Sequence, residues 1–85
     1  MAEALEQTVL SELRRIFLTE LERTEPVELE HELLAQLHVD SLAAIVIAVG
    51  LENRFRVKLT EADTDGVVTV ADLVQRVTAR VRASA

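Results

Sequence analysis

Ser41-Leu42-Ala43-Ala44-Ile45-Val46-Ile47-Ala48-Val49-Gly50-Leu51-Glu52-Asn53-Arg54 is the stretch on which the architecture turns. It predicts a helix over residues 41–54, opened by Asp40 or Ser41, since either carries a short side-chain oxygen able to accept a first-turn N–H. Two apolar stripes run along it. Ala44, Ile47, Ala48, Leu51 and Phe55 form one, sufficient to face a core, while Leu42, Ile45, Val46 and Val49 form another on a different side. A helix apolar nearly all round is normally buried, but a short chain cannot surround one helix completely. Part of the second stripe is therefore expected at the surface, where apolar patches mark docking or ligand sites. Gly50 costs about 1 kcal/mol relative to alanine in a helix interior. Its presence predicts a close approach to the backbone or tight packing.

Upstream, Leu5, Val9, Leu13, Phe17 and Leu21 recur every four residues, with Leu10 and Ile16 beside them. This predicts an amphipathic helix over residues 4–21, with Glu3 and Glu6 favourably placed in its first turn. Residues 22–40 read as a loop interrupted by Pro26. Its apolar underside of Leu29, Leu33, Leu34 and Leu37 predicts that it is pinned across the helices, with a short helical turn over residues 31–35. Downstream, Phe55, Val57 and Leu59 alternate with Arg56 and Lys58. A lone strand would have nothing to pair with, so an extended connection is expected. Thr60-Glu61-Ala62-Asp63 predicts one short helical turn, stopped at Gly66. Thr69 and Asp72 make an approximate capping box for a last helix on which Val70, Leu73, Val74, Val77 and Val81 face inward. Arg76, Arg80 and Arg82 lie towards its end, where cations complement the dipole. The sum is an all-α four-helix bundle, three helices long and one short, with a long first loop, in a single domain over residues 1–85.

Composition narrows the function. Fifteen acidic against nine basic residues give a net charge of −6, which speaks against nucleic acid and against an anionic membrane surface as partners. It suits a protein that meets basic patches on other proteins. With no cysteine, disulfides and thiolate metal sites are excluded. The apolar run at residues 42–51 is too short to span a bilayer, and the polar start lacks the layout of a signal peptide. A cytoplasmic monomer is expected. At 85 residues a deep active-site cleft is not. Ser41 has no histidine and acid partners at workable spacing, and there is no metal cluster or glycine-rich phosphate loop. No catalytic residue and no metal site are assigned, so an enzyme is not expected. His31 and His38 are read as surface residues.

Leu34-Ala35-Gln36-Leu37-His38-Val39-Asp40-Ser41-Leu42 resembles the signature of the acyl and peptidyl carrier proteins, in which leucines precede an Asp-Ser-Leu triplet. Leu51-Glu52-Asn53-Arg54-Phe55 is similar to the end of that family's second helix. Val57-Lys58-Leu59 and the acids after it resemble the approach to its short third helix, and Thr69-Val70-Ala71-Asp72-Leu73 the start of its last. The resemblance spans residues 9–81. It implies a four-helix carrier fold and a 4′-phosphopantetheine arm on Ser41, moved there from coenzyme A by a phosphopantetheinyl transferase. It implies further that Asp40 helps position the transferase, that Leu42 sits under the arm, and that an acyl or aminoacyl cargo is held as a thioester. Cargo-loading and cargo-accepting enzymes, such as an adenylating enzyme, an acyltransferase or a ketosynthase, would be the partners.

Two departures from the family pattern matter. Glycine usually stands two residues before the Asp-Ser pair, where it permits unusual backbone angles. His38 occupies that place and predicts a more ordinary conformation or a specialised contact. Fatty-acid carriers also place acids where this chain has Ala43 and Val46. Glu52 keeps an acid at a later family position, while Asn53 replaces another. Partners are therefore expected on an apolar patch of Leu42, Ala43, Ile45, Val46 and Val49, with Glu52 at its far end. This favours a carrier of secondary metabolism, serving polyketide or nonribosomal peptide enzymes, and the starting Met1 and short tails suggest a discrete, free-standing protein. Loop acids Glu30, Glu32, Glu61, Asp63 and Asp65 offer a competing electrostatic surface. A different class of function, an unmodified helical interaction domain docking through the same stripe, would give Ser41 no special role.

Overall fold

The computed structural model describes residues 4–84 and contains four helices, α1 (Ala4–Thr19), α2 (Ser41–Phe55), α3 (Glu61–Thr64) and α4 (Val70–Ala83). Glu3 lies outside the described residues, while Glu6 stands in the first turn of α1. α1 packs on both α2 and α4, and α3 rests on α4. Val9, Leu13, Ile16 and Phe17 of α1, Leu51 of α2 and Val70, Val74 and Val77 of α4 are almost wholly buried. Val27 and Leu37 add the loop's contribution to the same core. All-aliphatic side chains with one phenylalanine suffice because helices in contact interdigitate small and large residues.

The helix ends follow from local chemistry. α1 stops at Thr19, earlier than its apolar stripe predicts. The Ile16 carbonyl takes the amides of both Glu20 and Leu21, and Glu22 at φ 54° turns the chain away. Thr69 Oγ accepts the Asp72 amide at 3.1 Å, while Asp72 Oδ2 accepts the Thr69 amide at 3.0 Å, so aspartate closes the box. Asp63 Oδ2 likewise takes the Thr60 amide at 2.8 Å at the head of α3. Gly66, at φ 77°, follows α3 in the left-handed conformation that lets a chain leave a helix.

Arg56 caps the end of α2 in the left-handed conformation at φ 57°, and residues 57–60 after it are the expected extended connection, which Glu52 Oε2 fixes by accepting the Leu59 amide at 2.8 Å. The first loop is tied down by its backbone as well as by its leucines. Leu33 donates to the Val68 carbonyl, Val70 to His31 and Ala71 to Leu29, each at 2.9 Å, around an isolated antiparallel bridge between Glu32 and Thr69. The helical turn in this loop covers residues 33–37 instead of 31–35. It is displaced because residues 31–33 are engaged in that pairing.

Candidate functional site

α2 begins where the charged end of the loop meets its apolar run. Asp40 is the N-cap, extended at φ −83° and ψ −175°, and its Oδ1 accepts the Ala43 amide at 2.8 Å. Of the two residues able to cap this helix, Asp40 does so. Ser41 is thereby left as the first helical residue, exposed, with a hydroxyl that enters no hydrogen bond among the described residues. Helix starts leave several amides without intrahelical partners, and those of Ser41 and Leu42 are of this kind. An oxyanion attached at Ser41 would meet these amides and the positive end of the α2 dipole. The residues present therefore fit a phosphate-linked group.

The neighbouring surface is apolar. Leu42 is 71% exposed, Ile45 60% and Val49 47%, with Val46 half-buried. They lie on one side of α2, and Val46 and Ile45 floor a shallow groove toward α1 that Arg15 and Arg54 flank. Two expected members of this patch are elsewhere. Ala43 is 6% exposed and points into the core, because the buried edge of α2 runs through residues 43, 47 and 51 at four-residue steps. Ala44, expected on the core side, is exposed instead. Glu52 is half-buried and its carboxylate is turned onto the Leu59 amide, so α2 presents no unengaged carboxylate on this face. Of the loop acids, Glu30, Glu32, Glu61 and Asp65 are exposed, whereas Asp63 is held 2.9 Å from Arg80. That guanidinium, with the Thr60 amide, lowers the Asp63 carboxyl to about 2.

Gly50 marks tight helix packing. A Cβ there would lie 2.7 Å from Ile16 Cδ1, so α1 and α2 touch through the missing side chain. Close by, Glu12 is 8% exposed. It accepts from Arg15 at 2.5 Å and lies 3.8 Å from Arg54, which joins the two helices electrostatically.

His38 corrects one expectation. Its φ is 53°, the left-handed conformation that glycine would favour, and not an ordinary one. The specialised contact exists, though through the backbone: the Leu37 and His38 carbonyls both accept from the Arg23 guanidinium. Sequence reasoning missed Arg23, since nothing local links an arginine just beyond α1 to a carbonyl beside α2.

It also missed a cavity. A cleft of about 420 Å³ opens between the first loop, α2 and the start of α4, lined by Leu33, Val39, Ala44, Ile47, Leu59, Val68 and Leu73 among others. The expectation for a chain this short was of no deep active-site cleft, and an apolar space of this kind was not foreseen. It exists because the paired backbones of residues 31–33 and 68–70 hold the loop off α2 as a wall. The leucines of the loop were the available signal: Leu33 and Leu34 line the cavity.

Residues 11–77 match the family described as the phosphopantetheine attachment site. The chain is 35% identical over 68 residues to acyl carrier protein 3 of Ralstonia nicotianae, covering 79% of this chain and 78% of that one. Among solved structures it is similar to a putative acyl carrier protein of Mycobacterium tuberculosis, with a TM-score of 0.71 at 24% identity, covering 89% of this chain and 97% of that one. That likeness concerns the fold.

Proposed function

The chain belongs to the acyl carrier protein family, whose prosthetic group is a covalent 4′-phosphopantetheine, and from this premise we propose that Ser41 is the residue that takes the arm. The chain is a carrier and not a catalyst. The observation that carries the assignment is the division of labour at the head of α2. Asp40 caps the helix, and the Ser41 hydroxyl is left exposed and unengaged. Were Ser41 the cap, its oxygen would be committed to an amide and a poor acceptor of a phosphoryl group.

Each neighbouring residue then has a task. Asp40 fixes the first turn and offers a carboxylate to the transferase. The amides of Ser41 and Leu42 and the helix dipole steady the phosphate. Leu42, at the surface beside it, gives the arm an apolar footing. The arm, once attached, supplies a terminal thiol on which cargo is held as a thioester. The cavity reaches Val39 and Ala44, on either side of Ser41 in sequence. Its apolar lining favours an acyl chain over an aminoacyl group.

Partner enzymes dock on Leu42, Ile45, Val46 and Val49, in this reading, with Ala43 and Glu52 supporting the helix from within. A docking face without free carboxylates suits a carrier of polyketide, nonribosomal peptide or related biosynthesis. Its loading and accepting enzymes would be of the adenylating, acyltransferase or ketosynthase kind, and the 1–85 chain acts as one domain. Intact mass tests the attachment. Incubation with coenzyme A and a broad-specificity phosphopantetheinyl transferase should add one arm to the wild type and none to Ser41→Ala. A folded wild type that stays unmodified would overturn the assignment.

A further inference from the structure

The backbone leading into Ser41 is held from outside by one side chain. Arg23 Nη1 donates to the Leu37 carbonyl, and Nη2 donates to the His38 carbonyl at 3.1 Å. The base of this fork is anchored: the guanidinium carbon lies 5.9 Å from the centre of the Phe17 ring, which is 1% exposed. Glu25 stands 3.7 Å from Nη1. The Arg23 amide itself closes the end of α1 by donating to the Phe17 carbonyl at 2.8 Å. Both ends of the residue are therefore fixed to the bundle.

The two carbonyls belong to the peptide planes on either side of the His38 α-carbon. A peptide unit is planar, so the chain between two planes has only φ and ψ to adjust. A planar guanidinium that grips both planes at once joins the His38 amide, bonded to the Leu34 carbonyl at 3.2 Å, and the Val39 amide, bonded to the Leu33 carbonyl at 2.8 Å, in setting both angles of His38, in a region that a residue with a Cβ seldom adopts. Asp40 and Ser41 follow after the single residue Val39. A change of either angle at His38 would swing the N-cap and redirect the Ser41 hydroxyl.

We propose that Arg23 is a positioning residue for arm attachment: its fork on the Leu37 and His38 carbonyls fixes the direction in which Ser41 is offered to the transferase. The proposal rests on the reading of Ser41 as the attachment residue. In that reaction the Ser41 oxygen forms a bond to the phosphorus that bears the pantetheine. The phosphoanhydride bond of coenzyme A breaks, adenosine 3′,5′-bisphosphate leaves, and the hydroxyl proton passes to a base on the transferase. Geometry at the attacking oxygen governs such a step steeply, so a shift of the order of 1 Å costs up to about a hundredfold in rate.

The test compares wild type, Arg23→Met and Arg23→Lys with coenzyme A and a broad-specificity transferase, following the mass of the product over time. Methionine keeps a stem against Phe17 and removes the fork, while lysine keeps the charge but not the paired geometry. Arg23→Met should lower kcat by roughly tenfold or more with KM for the carrier nearly unchanged, and Arg23→Lys should fall between it and wild type. Amide exchange should quicken at residues 39–43 and stay slow at Leu13, Leu51 and Val77. An unchanged kcat in Arg23→Met would overturn the proposal. So would a loss of rate matched by faster exchange at Leu13, Leu51 and Val77, which would make Arg23 a general stabiliser. A wild type that accepts no arm would instead sink the Ser41 assignment and this proposal with it.

Discussion

His38 sits at φ 53°, where its Cβ crowds the following carbonyl. Glycine escapes that crowding, which is worth about 1–2 kcal/mol, but loses more entropy on folding, about 0.5–1 kcal/mol. His38→Gly should therefore raise stability by roughly 0.5–1 kcal/mol, read as a higher urea midpoint at unchanged slope. A lower midpoint would mean that the imidazole makes a contact that outweighs the strain. Asp40→Ala should act the other way, losing about 1 kcal/mol with the cap and fraying the first turn of α2 in amide exchange. The two residues differ in how far the sequence reveals them. A cap is chemistry among neighbours, so Asp40, Thr60, Asp63, Thr69 and Asp72 are legible in the order of residues. The angle at His38 closes the turn over residues 33–37, with the His38 and Val39 amides on the Leu34 and Leu33 carbonyls and Arg23, remote in sequence, on the carbonyls of the same planes, whereas reading His38 only as a replaced glycine predicts the opposite conformation.

Between elements, Gly50 and Ile16 form the closest point of α1 and α2, and a methyl group at residue 50 would enter the space of Ile16 Cδ1. Overpacking costs about 1–3 kcal/mol, and the helix propensity of alanine returns about 1. Gly50→Ala should thus destabilise by about 1 kcal/mol. Ile16→Val removes the clashing carbon, so the double variant should lose less than the sum of the two singles in a denaturation cycle. α3 is held differently, by the Asp63–Arg80 pair at 2.9 Å. The Asp63 carboxyl is depressed from 3.8 to about 2. Its contribution to stability is complete well above 3.8 and disappears as the pH falls through that interval. Asp63→Asn should be less stable at neutral pH and should show a shallower loss between pH 3.8 and 2; an unchanged acid limb would show that α3 is held without this charge. The helices themselves were readable because apolar residues recur at helical spacing. The faces were less so. Alanine carries little hydrophobic signal, so the roles of Ala43 and Ala44 were exchanged until the packing of α1 fixed the rotation of α2.

The whole molecule combines a net charge of −6 with an exposed apolar face on α2, and the two predict different partner behaviour. Replacing Ile45 and Val49 by serine should leave the fold intact within about 0.5 kcal/mol, as for exposed positions generally. The same change should raise KM with loading enzymes. Added salt beyond the ~0.15 M at which charges are screened over about 8 Å should alter that KM by less than about threefold. A steep salt dependence would return the docking role to Glu30, Glu32, Glu61 and Asp65. Length and helical order made the four-helix bundle legible without coordinates, and the resemblance around Asp40-Ser41-Leu42 made the family legible. The cavity was not, because its wall depends on backbone pairing between segments that carry no strand pattern. That wall also limits what the cavity can hold. Leu33 and Val68 share a hydrogen bond and both line the space, and the Val70 and Ala71 amides are tied to the same loop. Any enlargement of this space beyond side-chain movement breaks part of that backbone clasp and loosens the first turn of α4. The clasp therefore sets the width of the space, which can grow only at the expense of hydrogen bonds that start α4.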